Sequence, residues 1–462
     1  MTEAALDRRS TRGRLMLAGV TLGSGVAILD GAVVNVALRT IGRDLGASLA
    51  QLQWVVNGYL LALASLVLVG GALGDRFGRR RVYLVGVTWF LGASALCAAA
   101  QSPGQLIGLR VLQGVGAALL TPGALALIQA SFRPEDRAPA IGTWAGLSGV
   151  AAAAGPLLGG WLVDNASWRW IFAINVPLCL GVITLTRHAA PESRDPEVSG
   201  RFDLVGGTLT VVALGAATYA LTASTEAAGV VVAGAWAVSV AAAVGFVLVE
   251  RRTASPLVPL TLFRSRIFSV ANGMTLLVYG ALAGVSLFTV LQLQAVGWSA
   301  LEAGLSGLPV TLALLLLSSR AAALSARIGP RLPMTVGPLV CAAGVVLLIG
   351  VGEGATWSDV LPGMTVFALG LALLVSPLTA AVLAAAPDRS AGVASGVNNA
   401  VARAGSLLAV AALPAVVALV GDDYLDVDAM SAGYRAAMTW CAGLLAAGGI
   451  VSWVGLGRTA RP

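Results

Sequence analysis

Residues 55–81 read VVNGYLLALASLVLVGGALGDRFGRRR. The first twenty, Val55 to Gly74, carry no charge, and a helix of that length, at about 1.5 Å per residue, spans the roughly 30 Å hydrocarbon core of a bilayer. The last seven hold four arginines and one aspartate, the composition of a loop lying against an anionic membrane surface. Three more stretches, Val82–Ala100, Val230–Val249 and Val336–Gly350, are equally free of charge. Over the whole 462-residue chain 57% of residues are apolar and 11% charged, against roughly 45–50% and about 25% in ordinary soluble domains. The chain therefore reads as an all-α integral membrane protein. Its apolar runs, separated by polar or Pro/Gly punctuation, predict fourteen helices. Their spans are 15–38, 52–73, 82–101, 105–130, 138–163, 167–187, 204–222, 229–249, 267–294, 303–324, 332–352, 359–386, 390–420 and 432–456.

Arginine sets the orientation. There is no lysine, so all 29 cationic residues are arginine, which excludes a P-loop or Schiff-base lysine. With the N-terminus inside, 23 arginines fall in inner segments and only Arg39 and Arg43 in outer ones. That bias predicts a multi-pass protein of the cytoplasmic membrane with both termini cytoplasmic. The net charge of +7 then belongs to the lipid-facing loops, and no nucleic-acid partner is expected. The polar start Met1–Arg14 does not read as a signal peptide. Cys97, Cys179, Cys341 and Cys441 stand singly in separate apolar runs, so neither disulfide nor metal is expected. His188 has no Cys or carboxylate cluster around it. No paired acids and no nucleophile with a base lie in the spans, which argues against an enzyme.

An internal repeat is visible. Ala72–Arg80 (ALGDRFGRR) returns as Ala323–Arg331 (ALSARIGPR), and Asp136-Arg137 returns as Asp388-Arg389, at offsets of 251 and 252 residues. Six helices end near residue 188, so this offset exceeds a direct six-helix duplication by about two helices with their loops. The expected organisation is a six-helix bundle over 1–188, a two-helix insert with cytoplasmic linkers over 189–255, and a second six-helix bundle over 256–462. Parallel halves of this kind enclose a substrate path near the bilayer midplane.

Four further features carry chemistry. Asp30 lies about 18 Å up the first span from Ala18 and is the only carboxylate deep within any span. Burial favours its neutral form, so it can exchange a proton as its surroundings change; alternatively it is the fixed partner of a buried arginine such as Arg110 or Arg403. Arg110 and Gln113 interrupt the fourth span, where an unpaired cation costs several kcal/mol unless it is hydrated or snorkels to the interface. Gly155, Pro156, Gly159 and Gly160 give the fifth span a small-residue packing face with a proline kink. Asn398, Asn399 and Arg403 break the thirteenth span, either as an interhelix polar network or as cavity lining. By position alone, Asn35, Asn57, Tyr59, Tyr279, Phe288 and Gln292 are further cavity candidates.

These stretches together resemble the major facilitator superfamily. The run from Gly71 to Arg80 is similar to its signature loop G-x-L-a-D-R-x-G-R-R, and Arg110–Ala118 to its R-x-x-Q-G-x-G-A-A motif. The run Gly155-Pro156-Leu-Leu-Gly159-Gly160 resembles the antiporter motif, with Ala151 in place of its first glycine. Leu29–Leu38 resembles the L-D-x-T-x-V-N-V-A-L-P signature of the fourteen-helix drug:proton antiporters, with Ala32 for Thr and Arg39 for Pro. The resemblance implies a major facilitator fold and a monomer that exports small amphipathic organic molecules, such as drugs or antibiotics, against protons. No cofactor is implied, because the proton gradient supplies the energy. It casts Asp30 and Arg110 in proton coupling, with proton entry displacing the substrate. Asp75, Arg76, Gly78, Arg79 and Arg80 become a conformational latch that meets the thirteenth helix near Ser390. An exporter of one metabolite or self-made antibiotic, an uptake permease and a non-transporting receptor are the competing readings. A single acid in the spans suits neutral or monocationic substrates.

Overall fold

The computed structural model describes residues 6–194, 203–224, 227–253, 256–386 and 391–456. Fourteen helices among these residues are long and apolar enough to cross a bilayer. In chain order they are α1 Thr11–Leu45, α2 Leu49–Phe77, α3 Arg79–Ala98, α4 Pro103–Ser131, α5 Pro134–Asn165, α6 Trp170–Ala189, α7 Leu204–Thr222, α8 Gly229–Arg252, α9 Arg266–Ala295, α10 Ala300–Ile328, α11 Arg331–Leu348, α12 Trp357–Ala384, α13 Gly392–Val416 and α14 Val427–Gly455. The chain is a multi-pass, all-helical membrane protein. The repeat landmark Asp388-Arg389, the latch target Ser390, and Arg201, Arg458 and Arg461 of the charge count lie outside the described residues.

Helix ends depart from the apolar-run reading where a cap or a buried polar contact extends the helix. Ser48 and Gln51 form a capping box that starts α2, and Ser299 and Glu302 form another that starts α10. The first helix runs seven residues beyond its expected end at Leu38. Arg39 and Arg43 therefore sit in its closing turns, not in a loop. Arg39 is 4% exposed, and its Nη2 donates to the Leu425 carbonyl at 3.2 Å, while its Nε and Nη1 have no described partner. Two spans are interrupted: α6 breaks at Ile174, and α10 breaks between Leu305 and Leu308.

Packing repeats along the chain. Helix α4 packs on α2 and α3, and α1 on α5 and α6; correspondingly α12 packs on α10 and α11, and α9 on α13 and α14. Close approach rests on matched glycines. A Cβ on Gly86 of α3 would lie 2.9 Å from the Leu120 amide and 3.0 Å from the Gly116 carbonyl of α4. Gly337 of α11 stands 251 residues later and faces the Gly370 carbonyl of α12 at 3.0 Å in the same way. Between the two sixes, α2 meets α13, α5 meets α10 and α1 meets α9. Helix α7 packs against both α2 and α13, whereas α8 leans on α7 and is mostly exposed. Asp203 caps α7 by accepting from the Gly206 amide at 2.8 Å, and buried Glu250 on α8 accepts from Val258 N at 3.1 Å, tying the pair to the next linker.

Gly116→Val places a branched side chain 2.7 Å from the Phe90 amide, backbone that cannot swing aside. Overpacking of this kind costs about 1–3 kcal/mol. A lower melting temperature is expected in detergent, while Gly92→Val, with nothing within 4 Å of its Cβ, leaves it unchanged.

Candidate functional site

The buried charges meet between α1 and α4. Asp30 is 0% and Arg110 1% exposed, and Arg110 Nη1 lies 2.6 Å from Asp30 Oδ2. Arg110 does not snorkel: its Nη1 also donates to Gln113 Oε1 at 2.5 Å and its Nε to the Val55 carbonyl at 3.2 Å. Gln113, one turn along the same helix, turns its Nε2 to Asp30 Oδ1 at 2.8 Å. A third donor, Asn175 Nδ2, reaches the same oxygen at 3.1 Å and Ser94 Oγ at 3.0 Å. Every neighbour donates to Asp30, the pattern of an ionised carboxylate. The guanidinium lies over the Tyr59 ring, 4.4 Å from its centroid, with Phe172 at 5.7 Å. Charge, hydrogen bonds and ring faces together offset a desolvation cost that would be several kcal/mol for either ion alone.

Asn175 did not stand out among the sequence candidates. It opens the second part of α6, immediately after the single turn residue Ile174. Other candidates separate by packing. Phe288 is 1% exposed within the core, and Gln292 donates to Ser431 Oγ at 2.8 Å and the Val351 carbonyl at 3.3 Å. Both are packing residues of the second six helices, not cavity lining. Tyr59 and Gln113 are likewise buried, inside the Asp30 cage and not on a cavity wall. Asn398 donates to Asn272 Oδ1 and Thr275 Oγ1 on α9 at 3.1 and 2.8 Å, so it belongs to an interhelix network. Asn399 is exposed, and Asn35, Tyr279 and Arg403 are partly exposed. Asn57 is 0% exposed, and neither of its amide atoms has a described partner.

The described contacts of Asp75, Gly78, Arg79 and Arg80, in the loop after α2, lie with residues of the first six helices and the segment that follows them. Arg79 Nε and Nη2 each meet Asp75 Oδ1 at 2.8 Å. Glu192, another residue absent from the sequence candidates, accepts from the Arg80 and Arg81 amides at 3.0 and 3.1 Å. Gly78 takes φ 113°, and a Cβ there would collide with the Glu192 carboxylate. Arg80 Nη1 donates to the Ala190 carbonyl, and Arg76 lies 5.8 Å from the Phe77 ring centroid.

The small residues of α5 face neighbours closely. Gly155 and Gly159 abut Ala32 and Val33 of α1, and Gly160 abuts Leu301 and Ala300 of α10, where Gly304 in turn meets the Pro156 carbonyl. Polar contacts reinforce this arginine-poor end. Asp164 accepts from the Ala300 and Leu301 amides at 3.0 and 2.8 Å, and Gln294 Nε2 donates to the Val36 carbonyl at 2.7 Å. Gln53 Nε2 reaches the Val410 and Ala411 carbonyls at 2.7 and 3.1 Å. Burial pushes the Tyr424 phenol up from its ordinary value, so it stays protonated and donates to the Ala47 carbonyl at 2.9 Å. The first and last six helices are thus sealed together at this end.

Residues 20–410 match the sequence model of the Major Facilitator Superfamily. The chain belongs to that superfamily. Within it, the multidrug resistance protein Stp of Mycobacterium tuberculosis is 36% identical over 87% of this chain and 76% of its own length. The tetracenomycin C resistance and export protein of Streptomyces glaucescens is 35% identical over 89% and 77%. The methylenomycin A resistance protein of Bacillus subtilis is 35% identical over 89% of each. Among solved structures, a bacterial homologue of the human lysosomal transporter Spinster, inward-facing and unoccupied, aligns over 97% of both chains at a TM-score of 0.68 and 17% identity. A peptide transporter, POT, in complex with sulfate aligns at a TM-score of 0.69 and 14% identity, over 97% of this chain and 96% of its own. These two show the superfamily's fold alone.

Gly160→Val drives a side chain into the α10 backbone, whose Leu301 amide and Ala300 carbonyl lie 2.7 and 2.8 Å from the added Cβ. Spin labels at Ala166→Cys and Glu302→Cys, both exposed positions, are expected to move apart in the variant. The four native cysteines are buried and leave the label positions unambiguous.

Proposed function

We propose that this chain is a secondary active transporter that exports drug- or antibiotic-like organic molecules across the cytoplasmic membrane in exchange for protons. The observation that carries the reading is the ion pair between Asp30 and Arg110, buried in mid-span with a ring of donors around the acid. The cargo class comes from relatives named for multidrug resistance and for antibiotic resistance or export. In this reading residues 1–188 and 256–462 form two bundles that rock about a central path, 189–255 forms an inserted pair, and a single copy suffices. Both termini lie in the cytoplasm, so the sealed arginine-poor end faces outward and the path opens inward.

Coupling runs through packing. A proton arriving from outside neutralises Asp30, removes the charge that Arg110, Gln113 and Asn175 hold in place, and loosens the α1–α4 joint. Asp30 has no exposed surface in this state, so the acid acts on helix arrangement instead of pushing cargo off directly. In the alternate state Asp75 leaves Arg79 and meets the start of α13, while Gly155, Pro156, Gly159 and Gly160 keep α5 close to α1 as the halves move. A dedicated exporter of one antibiotic is the second reading, favoured by relatives named for a single compound. A susceptibility panel in a pump-deficient host separates the two.

Asp30→Asn keeps the shape and removes the titration. Everted vesicles carrying it are expected to lose proton-driven accumulation of any compound the wild type moves, while passive exchange of the same compound persists. Full proton-driven accumulation by the variant would sink the coupling role.

A further inference from the structure

The charge balance inside the bundle is uneven. Three side chains that carry a formal charge lie deep in the described spans: Asp30, Arg110 and Arg403. The first two neutralise each other. Arg403 stands twelve residues into its helix from Ala391, about 18 Å along the axis, and its guanidinium makes no hydrogen bond or ion pair with a described residue. Its place follows from helix register. Gly396, seven residues before it, touches Leu68 of α2, and Val410, seven residues after it, accepts from Gln53 of α2. Arg403 is therefore on the face of α13 that meets α2, level with Leu60 and Leu61, at the seam between the first and last six helices. It is partly exposed.

A second unsatisfied polar group lies on the facing helix. Asn57 is one turn from Gln53 on the same face of α2, is 0% exposed, and leaves both Nδ2 and Oδ1 without a described partner. An unpaired cation at this depth and an unsatisfied buried amide are each costly. A cation that is partly exposed at this depth persists where an anionic ligand completes it. The one acid that a cationic ligand would seek is enclosed by three donors and has no exposed surface.

We propose that Arg403 anchors an acidic group on the transported molecule, so that the substrates are amphipathic organic anions, carboxylates or acidic phenols. This rests on the exporter reading above and reverses the expectation of neutral or cationic cargo. A carboxylate matches the planar guanidinium fork in two parallel hydrogen bonds. Because the cargo is negative, exporting it against an entering proton carries one more charge inward per turnover than exporting a neutral analogue, and an interior-negative potential drives that movement.

The test uses purified protein in liposomes with an imposed pH gradient and three matched probes: dansylglycine, an anion; dansylglycinamide, neutral; and dansyl-ethylenediamine, a cation. An antibiotic panel runs in parallel. Dansylglycine is expected to be moved best, and Arg403→Gln to cut its transport about tenfold or more, a larger loss than the same variant causes for the amide. Arg403→Lys, which keeps the charge and loses the fork, falls between. On the wild type alone, dansylglycine is expected to carry one more charge per turnover than the amide, a readout independent of how well either variant folds. Preference for the amide or amine, equal charge per turnover, indifference of dansylglycine to Arg403→Gln, or failure to move it while antibiotics are moved overturns the anion proposal and leaves the exporter reading standing. If neither probes nor antibiotics move with the gradient, the exporter reading fails and takes this proposal with it.

Discussion

A charge inside a membrane protein must be answered by something within reach, and the interior of this chain is organised by that requirement. The ion pair between Asp30 and Arg110 joins α1 to α4, and each ion is buried almost completely. Removing either leaves the other uncompensated in a region of low dielectric, a change worth about 3–5 kcal/mol in comparable pairs. Gln113, Asn175 and Ser94 are placed by this demand more than by the packing of their own helices.

The scaffold around the pair is built by a different rule. Lipid supplies no hydrophobic drive between helices, so close contact depends on small residues that let backbones touch. Gly86 against Gly116, and Gly337 against Gly370, perform the same task in the two sixes. Around the repeated framework only one six carries the buried ion pair, and only the other carries Arg403. Duplication supplied the symmetry of packing, and the chemistry has diverged between the halves.

Much of the fold is legible in the residues themselves because lipid imposes a simple demand. Val55–Gly74 must be apolar throughout, and arginines must collect at one side, so helix number and the two-helix surplus emerge from counting. Asp30 and Arg110 are legible for the same reason, as exceptions to apolarity. Which way a side chain faces is not, since that depends on neighbours distant in sequence. Gln292 falls at plausible depth on α9 yet turns to the loop at Val351 and to α14, and Phe288 is buried in the core. Asp164, Gln294 and Tyr424, which hold the arginine-poor end closed, look like unremarkable loop and helix-end residues until their partners more than 130 residues away are known. Glu192 looks like part of a charged linker, and only its contact with the Arg80 and Arg81 amides gives it meaning.

Helix α7 rests on both α2 and α13, the pair whose seam contains Arg403. It therefore acts as a splint along one edge of the molecule. The opposite edge, where α5 meets α10, has no such cover. Rocking halves would find the splinted edge acting as the spine of a book and the bare edge as its fore-edge. A molecule dissolved in the lipid would meet a blank binding on one side and open pages on the other. Helix α7, with α8 leaning on it, thus gives the molecule a front and a back.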